Sequence, residues 1–269
     1  MASRPRIEIV ADVEHPGGYM LLMDEIRQSY VDLTDPGYLD FEYVQYLASV
    51  LETRPDGPLA VTHIGGGGLT LPRYLNAIRP GSSQIVLEPD TELIELVRRR
   101  LPLPRVHRIR IRPVDGRAGL AELRDASADL VVLDAYADGK VPAALSTAEF
   151  FAEVSRVLRP DGLLLANMVD EPDFRYLRRV LAGMAGEFAE LALITSTDVL
   201  RGRRFGNVVL AAAHQPLAVD ELRRRLARQP FPVGLRTGAA LAGLYAGAAP
   251  LTDAEPAESP EPVIGWRVR

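Results

Sequence analysis

The chain has 269 residues, of which 47% are hydrophobic and 6% aromatic, enough for one large domain with a small appendage. A formal net charge of −5 gives no overall support for nucleic-acid binding, which usually needs a basic face. The absence of cysteine excludes disulfides, thiolate zinc sites and cysteine nucleophiles. Because no apolar run approaches the length of a membrane span and no signal-peptide core is visible, we expect a cytoplasmic protein without a membrane partner.

The N-terminal segment, 1–37, has the pattern of a small β segment. Two apolar runs, IEIVADVE and YMLLMDE, are separated by an HPGG turn signal at 15–18, and an alternating run follows over 28–33. This pattern predicts a hairpin or a three-stranded sheet. A helix is predicted over 38–51, and the Pro- and Gly-containing segment 54–58 ends it.

Strands and helices alternate through the main domain, which is predicted to span 38–250. The alternation is typical of an α/β fold, a doubly wound, mostly parallel sheet with helices on both faces. Strands are predicted over 59–64, 84–88, 106–111, 129–134, 162–168, 190–195 and 206–213. Helices are predicted over 70–78, 91–100, 116–123, 147–158, 173–186 and 218–227.

The last third of the chain carries weaker signals. No long helix separates the strands 190–195 and 206–213, so we expect them to form an antiparallel hairpin at the end of the sheet. Residues 229–250 are rich in Gly and Ala, with a weak helical signal. The tail, 251–269, is rich in Pro and Glu and is expected to be extended or mobile.

A glycine turn and three acids mark one edge of the predicted sheet. Four glycines at 65–68 follow the first strand, where the absence of a Cβ atom lets a ligand approach the backbone. Glu88 ends the second strand, Asp115 and Gly116 follow the third, and Asp134 follows the fourth. Since ligands of such sheets bind at the carboxyl ends of the strands, these residues predict a nucleoside site.

The Asp115–Gly116 pair after the third strand and the acid after the fourth favour an S-adenosylmethionine-type ligand over other nucleotides. They favour with it a doubly wound sheet of the S-adenosylmethionine-methyltransferase type. A dinucleotide fingerprint would place a third glycine near Leu71, and a phosphate loop would need Lys followed by Ser or Thr after the glycines. Neither is present. In the predicted site, Glu88 meets the ribose hydroxyls and Asp115 meets the adenine amino group. The four histidines have no metal-ligand spacing, so no metal is expected.

The chain resembles the polyamine aminopropyltransferases, the spermidine synthase family, as a divergent bacterial member. The similarity lies in IGGGG at 64–68, the acid Glu88, VDG at 114–116 and DAYADGKVPAALSTAEFF at 134–151. The upstream segment 21–48 is similar to a further motif of the family. The resemblance implies aminopropyl transfer from decarboxylated S-adenosylmethionine to an amine, with release of 5′-methylthioadenosine. It also implies a homodimer or a larger homo-oligomer.

The resemblance and the strand positions together assign roles to individual residues. Asp134 is the predicted catalytic residue, because a carboxylate there can take the proton of the attacking amine. Tyr43 aligns with a family position in the amine site, and Tyr136 and Asp138 are predicted to line the same site. The nucleoside is assigned to Gln28, Gly65, Gly66, Gly67, Glu88, Asp115 and Gly116.

The departures from the family pattern keep other functions open. Gly68 stands where the family has an aspartate, which the resemblance pairs with the donor's amine and which repels a carboxylated donor. Ala137 replaces a second aspartate, and Val44 replaces a polar residue. Gly68 therefore favours an alternative, a methyltransferase that uses S-adenosylmethionine itself. The altered amine site favours another, a non-catalytic nucleoside-binding homologue.

Overall fold

The computed structural model describes residues 5–261, so that part of the predicted tail, 262–269, lies outside the described residues. The N-terminal segment forms a three-stranded antiparallel sheet, as predicted. Its strands are β1 (Ile7–Ala11), β2 (Gly18–Met23) and β3 (Ile26–Asp32).

The main sheet has eight strands in the order β11, β9, β10, β8, β7, β4, β5, β6. The strands β4 to β8 pair in parallel, whereas β9, β10 and β11 form antiparallel pairs at one side. The predicted fold class is therefore confirmed. The strands are β4 (Ala60–Ile64), β5 (Ser83–Leu87), β6 (Ile109–Arg112), β7 (Ala128–Leu133), β8 (Leu158–Asp170), β9 (Glu190–Ser196), β10 (Gly206–Ala213) and β11 (Val233–Thr237).

Helices cover both faces of this sheet, and each of the seven predicted helices is found. Helices α1, α2 and α8 pack on one face, while α4, α5, α6 and α9 pack on the other. The helices are α1 (Glu42–Leu51), α2 (Thr70–Ile78), α3 (Thr91–Arg100), α4 (Gly116–Ala121), α5 (Ala148–Val157), α6 (Arg175–Glu187), α7 (Thr197–Leu200), α8 (Val219–Leu226) and α9 (Gly238–Tyr245).

The chain direction across the sheet reverses between β4 and β7. From β4 the chain proceeds outward through β5 to β6, then returns to place β7 on the other side of β4. Such a reversal opens a crevice at the carboxyl ends of the two strands. The glycine turn follows β4 and Asp134 follows β7, so the predicted site residues converge on this crevice.

The prediction of a terminal hairpin was wrong in one respect. Strands β9 and β10 do pair, but β10 lies between β9 and β8, and β11 forms the edge. The sequence VGLRT of β11 is short and contains a glycine, so its strand signal is weak. Its partner in β9 supplies the hydrogen bonds that make it a strand.

Two apolar clusters lie under the helices on the two faces of the main sheet, and a third apolar cluster joins the N-terminal sheet to the main domain. Ile9, Leu21 and Val31 from the small sheet pack with Leu69, Val86 and residues of α3. This packing lays β3 across the glycine turn. The N-terminal sheet is therefore positioned to form one wall of the crevice.

The described part of the tail, 251–261, is extended but packed against the domain. Leu251 is fully buried, and its carbonyl accepts a hydrogen bond from the Ala148 backbone at 2.8 Å. The Ser259 hydroxyl accepts one from the Val141 backbone at 2.9 Å. These residues are extended, as one of the two expected forms of the tail, and specific backbone contacts hold them against the domain.

Candidate active site

The glycine turn at the end of β4 allows a close backbone approach that other residues would block. Gly65 has φ +95°, and a Cβ atom there would overlap the backbone oxygen of Asp134. Gly66 donates a backbone hydrogen bond to Glu88 Oε2 at 2.8 Å. Gly67 also has a positive φ, +46°. The turn thus brings the ends of β4, β5 and β7 into contact.

Glu88 is held at the end of β5 by backbone donors on both of its oxygens. Its Oε1 accepts from Asp90 N at 3.0 Å, while Oε2 accepts from Gly66. Burial raises the pKa of Glu88, although these N–H groups act in the opposite direction. Glu88 lines a small cavity together with Gly66, Gly67 and apolar residues of α3. The carboxylate is thereby fixed in place beside the turn, with lone pairs left for a ligand.

Asp115 and Gly116 begin helix α4 at the end of β6. Asp115 Oδ1 accepts from the backbone N–H groups of Arg117 and Ala118 at 2.9 and 3.0 Å, which caps the helix. Its Oδ2 has no protein hydrogen bond within the described residues, so it can accept one from a ligand. Gly116 is required structurally, because a Cβ atom there would overlap the side chain of Ile64.

Asp134 is the centre of a hydrogen-bond network at the end of β7. Tyr43 donates from its hydroxyl to Asp134 Oδ2 at 3.2 Å, and Asn167 Nδ2 donates to Oδ1 at 2.9 Å. Burial raises the pKa of Asp134, while both donors oppose that rise by stabilising the ionised form. A carboxylate in this setting is suited to accept a proton from an amine.

Tyr136 contacts the same network through Asn167. Its hydroxyl donates to the backbone oxygen of Asn167 at 3.1 Å. Burial raises the pKa of Tyr136, and that of Tyr43, well above 10, so both phenols stay neutral. Asp138 instead lies exposed, with φ +51°, in a tight turn closed by Ala137 and Lys140. Its assignment to the amine site stays a prediction.

Gln28 occupies an irregular position in β3. Leu21 pairs with Ser29 and Leu22 pairs with Arg27, so Gln28 is the extra residue of a β-bulge. Bulges often lie beside active sites, where they redirect a side chain. Gln28 directly precedes Ser29, which contacts Gly68 of the glycine turn, and the nucleoside role of Gln28 stays a prediction.

Sequence analysis missed two site residues, Asn167 in β8 and Asn207 in β10. Asn167 is 1% exposed and bonds Asp134, and Asn207 Nδ2 donates to Asn167 Oδ1 at 3.0 Å. A signal for Asn167 was available, because a single amide within the apolar run LLLANMV must find a buried partner. Asn207 begins an apolar strand after a loop and carries no such signal.

The position of the family's aspartate is filled from the N-terminal sheet. A Cβ atom on Gly68 would lie 2.9 Å from Val31 Cγ2 and 3.0 Å from Ser29 Oγ. The Ser29 hydroxyl accepts from Gly68 N at 3.2 Å and bonds the hydroxyl of Thr70 at 3.0 Å. The next residue, Leu69, has the left-handed φ of +63° and is buried in the third apolar cluster. A neutral hydroxyl therefore lies beside Gly68, the position where the sequence resemblance implies an acid.

Within residues 5–261, no group of three or more metal-ligating side chains is arranged to hold a metal ion. No helix in the same range is long and apolar enough to cross a membrane.

Comparison with known proteins identifies relatives over nearly the whole chain. The methyltransferase domain family matches residues 62–166. The polyamine aminopropyltransferase of Chromobacterium violaceum is 26% identical over 245 residues, which is 87% of this chain and 90% of that protein.

Solved structures agree with this similarity. A spermidine synthase bound to the transition-state analogue AdoDATO shares the fold, at 19% identity and a TM-score of 0.55, over 83% of this chain and 74% of the other. A probable spermidine synthase from Corynebacterium glutamicum is 30% identical, with a TM-score of 0.86 over 93% of both chains. The chain therefore belongs to the polyamine aminopropyltransferase family.

Proposed function

We propose that this protein is a transferase that moves an aminopropyl group from decarboxylated S-adenosylmethionine to an amine, in polyamine biosynthesis. The observation that carries the proposal is the carboxylate of Asp134. It lies at the reversal point of the sheet, beside the glycine turn, and accepts hydrogen bonds from Tyr43 and Asn167. Family membership supplies the chemistry that such a carboxylate serves.

The donor's nucleoside is assigned to the carboxyl ends of β4, β5 and β6. Glu88, fixed by two backbone donors, can accept hydrogen bonds from the ribose hydroxyls. Asp115 Oδ2 can accept one from the adenine amino group. The backbone of Gly65, Gly66 and Gly67 then forms the surface on which the nucleoside rests.

The proposed reaction is an in-line displacement at the carbon next to the sulfonium. The lone pair of a neutral amine forms a C–N bond while the C–S bond breaks, and sulfur keeps that electron pair as the thioether of 5′-methylthioadenosine. The acceptor reaches the site as an ammonium ion at neutral pH and must first lose a proton. Asp134 accepts that proton, with Tyr43 and Asn167 holding its carboxylate in position.

Three further features are proposals of the same kind. The chain is divided into an N-terminal β segment (1–37), a nucleoside-binding catalytic domain (38–250) and a tail (251–269). It acts in the cytoplasm as a homodimer or larger homo-oligomer. Its partner in catalysis is a small amine, with Tyr136 and Asp138 assigned to the amine site.

Calorimetric titration with decarboxylated S-adenosylmethionine, S-adenosylmethionine and 5′-methylthioadenosine, each added separately, tests which donor the protein binds. Decarboxylated S-adenosylmethionine is expected to bind, and 5′-methylthioadenosine is expected to bind as the product. Transfer to a diamine, followed by mass spectrometry, should fall by about 10²–10⁴-fold in Asp134→Asn, because the proton acceptor is removed. Asp161→Asn, at an exposed site, is the matched control and should leave transfer unchanged. Failure of all three nucleosides to bind would contradict the proposal.

The filling of the Gly68 position favours one second candidate, methyl transfer from S-adenosylmethionine. Ser29 and Val31 occupy the space that a Cβ atom at position 68 would need, and glycine supplies no carboxylate there to repel a carboxylated donor. Binding of S-adenosylmethionine at least about tenfold tighter than the decarboxylated form, a difference of roughly 1.4 kcal/mol, would favour this candidate.

A further inference from the structure

Two asparagines connect Asp134 to strand β10. Asn167 lies on β8 and Asn207 on the antiparallel neighbour β10, where Asn207 pairs with Val169 and Val209 pairs with Asn167. The two side chains are therefore diagonal neighbours on one face of the sheet. Asn207 Nδ2 donates to Asn167 Oδ1 at 3.0 Å, and Asn167 Nδ2 donates to Asp134 Oδ1 at 2.9 Å.

We propose that Asn207 is a positioning residue, which fixes the orientation of the Asn167 amide so that an N–H group always faces the Asp134 carboxylate. The inference rests on the proposed function in assigning proton transfer to Asp134. Asn207 is the residue through which strand β10 reaches the hydrogen-bond network of Asp134.

The argument follows from the shape of a carboxamide. Its oxygen and nitrogen ends are nearly equal in size, so packing alone does not distinguish the two orientations. In one of them Asn167 donates to Asp134, and in the other its oxygen meets a carboxylate oxygen and repels it. The hydrogen bond from Asn207 Nδ2 to Asn167 Oδ1 forms only in the first orientation, in which the Asn167 oxygen faces β10.

Asn207 is itself held in place by its surroundings. The Thr195 hydroxyl donates to the backbone oxygen of Asn207 at 2.6 Å, which ties β10 to β9 at this point. The donor that reaches Asn167 therefore comes from a side chain with a defined location.

The groups that face Asp134 allow its titration to be followed without interference. Tyr43 approaches from α1, Asn167 from β8 and Tyr136 from the loop after β7. Both tyrosines have a pKa well above 10, so they stay neutral while a carboxylate titrates. A change in the titration of Asp134 thus reports on the amide donor.

The test is a carbon-13 NMR titration of the aspartate carboxyl groups in the full-length protein. The Asp134 signal is assigned by its loss in Asp134→Asn. In Asn207→Leu, which keeps the branched shape in a somewhat larger side chain but removes the donor, the Asp134 pKa should rise by about one unit. In Asn207→Asp the new acceptor should draw the Asn167 N–H group away, and the rise should be larger. The acid limb of kcat/KM should move to higher pH by the same amount.

Ser155→Ala is the matched control, because it removes a part-buried hydroxyl that bonds His214, beyond the far end of β10 from Asn207. It should lower the melting temperature without moving the Asp134 titration. An Asp134 pKa that is the same in wild type and Asn207→Leu overturns the inference, whatever Asn207→Asp does, because the added carboxylate raises that pKa by charge repulsion alone. Absence of aminopropyl transfer in the wild type contradicts the proposed function instead, and the NMR titration still decides the inference.

Discussion

At the scale of single residues, Gly68 shows how a change at one position is matched by its neighbours. Ser29 Oγ and Val31 Cγ2 lie 3.0 and 2.9 Å from the place where a Cβ atom would stand. Both side chains come from β3, which the third apolar cluster presses against the turn. A side chain cannot therefore be restored at position 68 by one substitution without displacing Ser29 and Val31.

Restoring the acid by Gly68→Asp should destabilise the protein rather than create a working aminopropyl site. The added side chain must displace Val31 and Ser29, and overpacking of this kind costs about 1–3 kcal/mol. Chemical denaturation should show that loss, with no gain in preference for the decarboxylated donor in calorimetry.

Two further variants sharpen that test. Gly186 on α6 has open space around it, so Gly186→Asp should cost far less than Gly68→Asp. Adding Val31→Ala to Gly68→Asp opens room for the acid and should raise the preference for the decarboxylated donor. A stable Gly68→Asp protein with that preference already present would show that the turn adapts more easily than its packing indicates.

At the scale of elements, the tail is joined to the start of α4, next to the site, by one side chain. Arg117, directly after the Asp115–Gly116 pair, donates to Asp253 Oδ1 and Oδ2 at 2.7 and 2.5 Å. The same guanidinium donates to the Ala144 carbonyl at 3.0 Å. One side chain thus joins the start of α4, the loop after β7 and the tail.

Removing this junction should loosen the loop without unfolding the domain. Arg117→Ala loses a two-point contact to Asp253 and the bond to Ala144, so we expect a loss of about 1–2 kcal/mol and faster hydrogen exchange over 141–147. Arg175→Ala, which breaks the exposed ion pair with Asp173, is the control and should have little effect. Unchanged exchange over 141–147 in Arg117→Ala would mean that backbone contacts alone hold the loop.

At the scale of the whole molecule, the carboxylates gathered at one sheet edge affect stability as a function of pH. Burial raises the pKa of Glu88, Asp134 and Asp170, the last to about 6 from 3.8. A folded-state pKa above the unfolded value means that the folded state binds the proton more tightly. The stabilisation from such a group is complete below the unfolded pKa and is lost as pH rises through the folded pKa.

Asp170 offers the clearest measurement of this effect. Between pH 5 and pH 8, the wild type should lose about 1 kcal/mol of unfolding free energy that Asp170→Asn does not lose. Urea denaturation of both proteins at the two pH values gives the comparison. Equal losses in the two proteins would show that the hydrogen bonds to Asp170 from the backbone of Leu177 and Glu171 outweigh its burial.

Much of the fold and part of the site could be predicted from the sequence, because both depend on short-range patterns. Alternating strands and helices indicate a parallel sheet, and such a sheet collects the residues that follow its strands at one edge. For that reason the glycine turn, Glu88, Asp115 and Asp134 were predicted at one place, and they lie there. Membership of the family also followed from these motifs.

The remaining features were decided only by the tertiary structure, because they join residues far apart in the chain. Ser29 contacts Gly68 across 39 positions, and Asn207 contacts Asn167 across 40. No local pattern marks either pair, since each depends on which strands become neighbours. The amide donor to Asp134 and the filled space at Gly68 are therefore properties of the packed sheet rather than of any sequence motif.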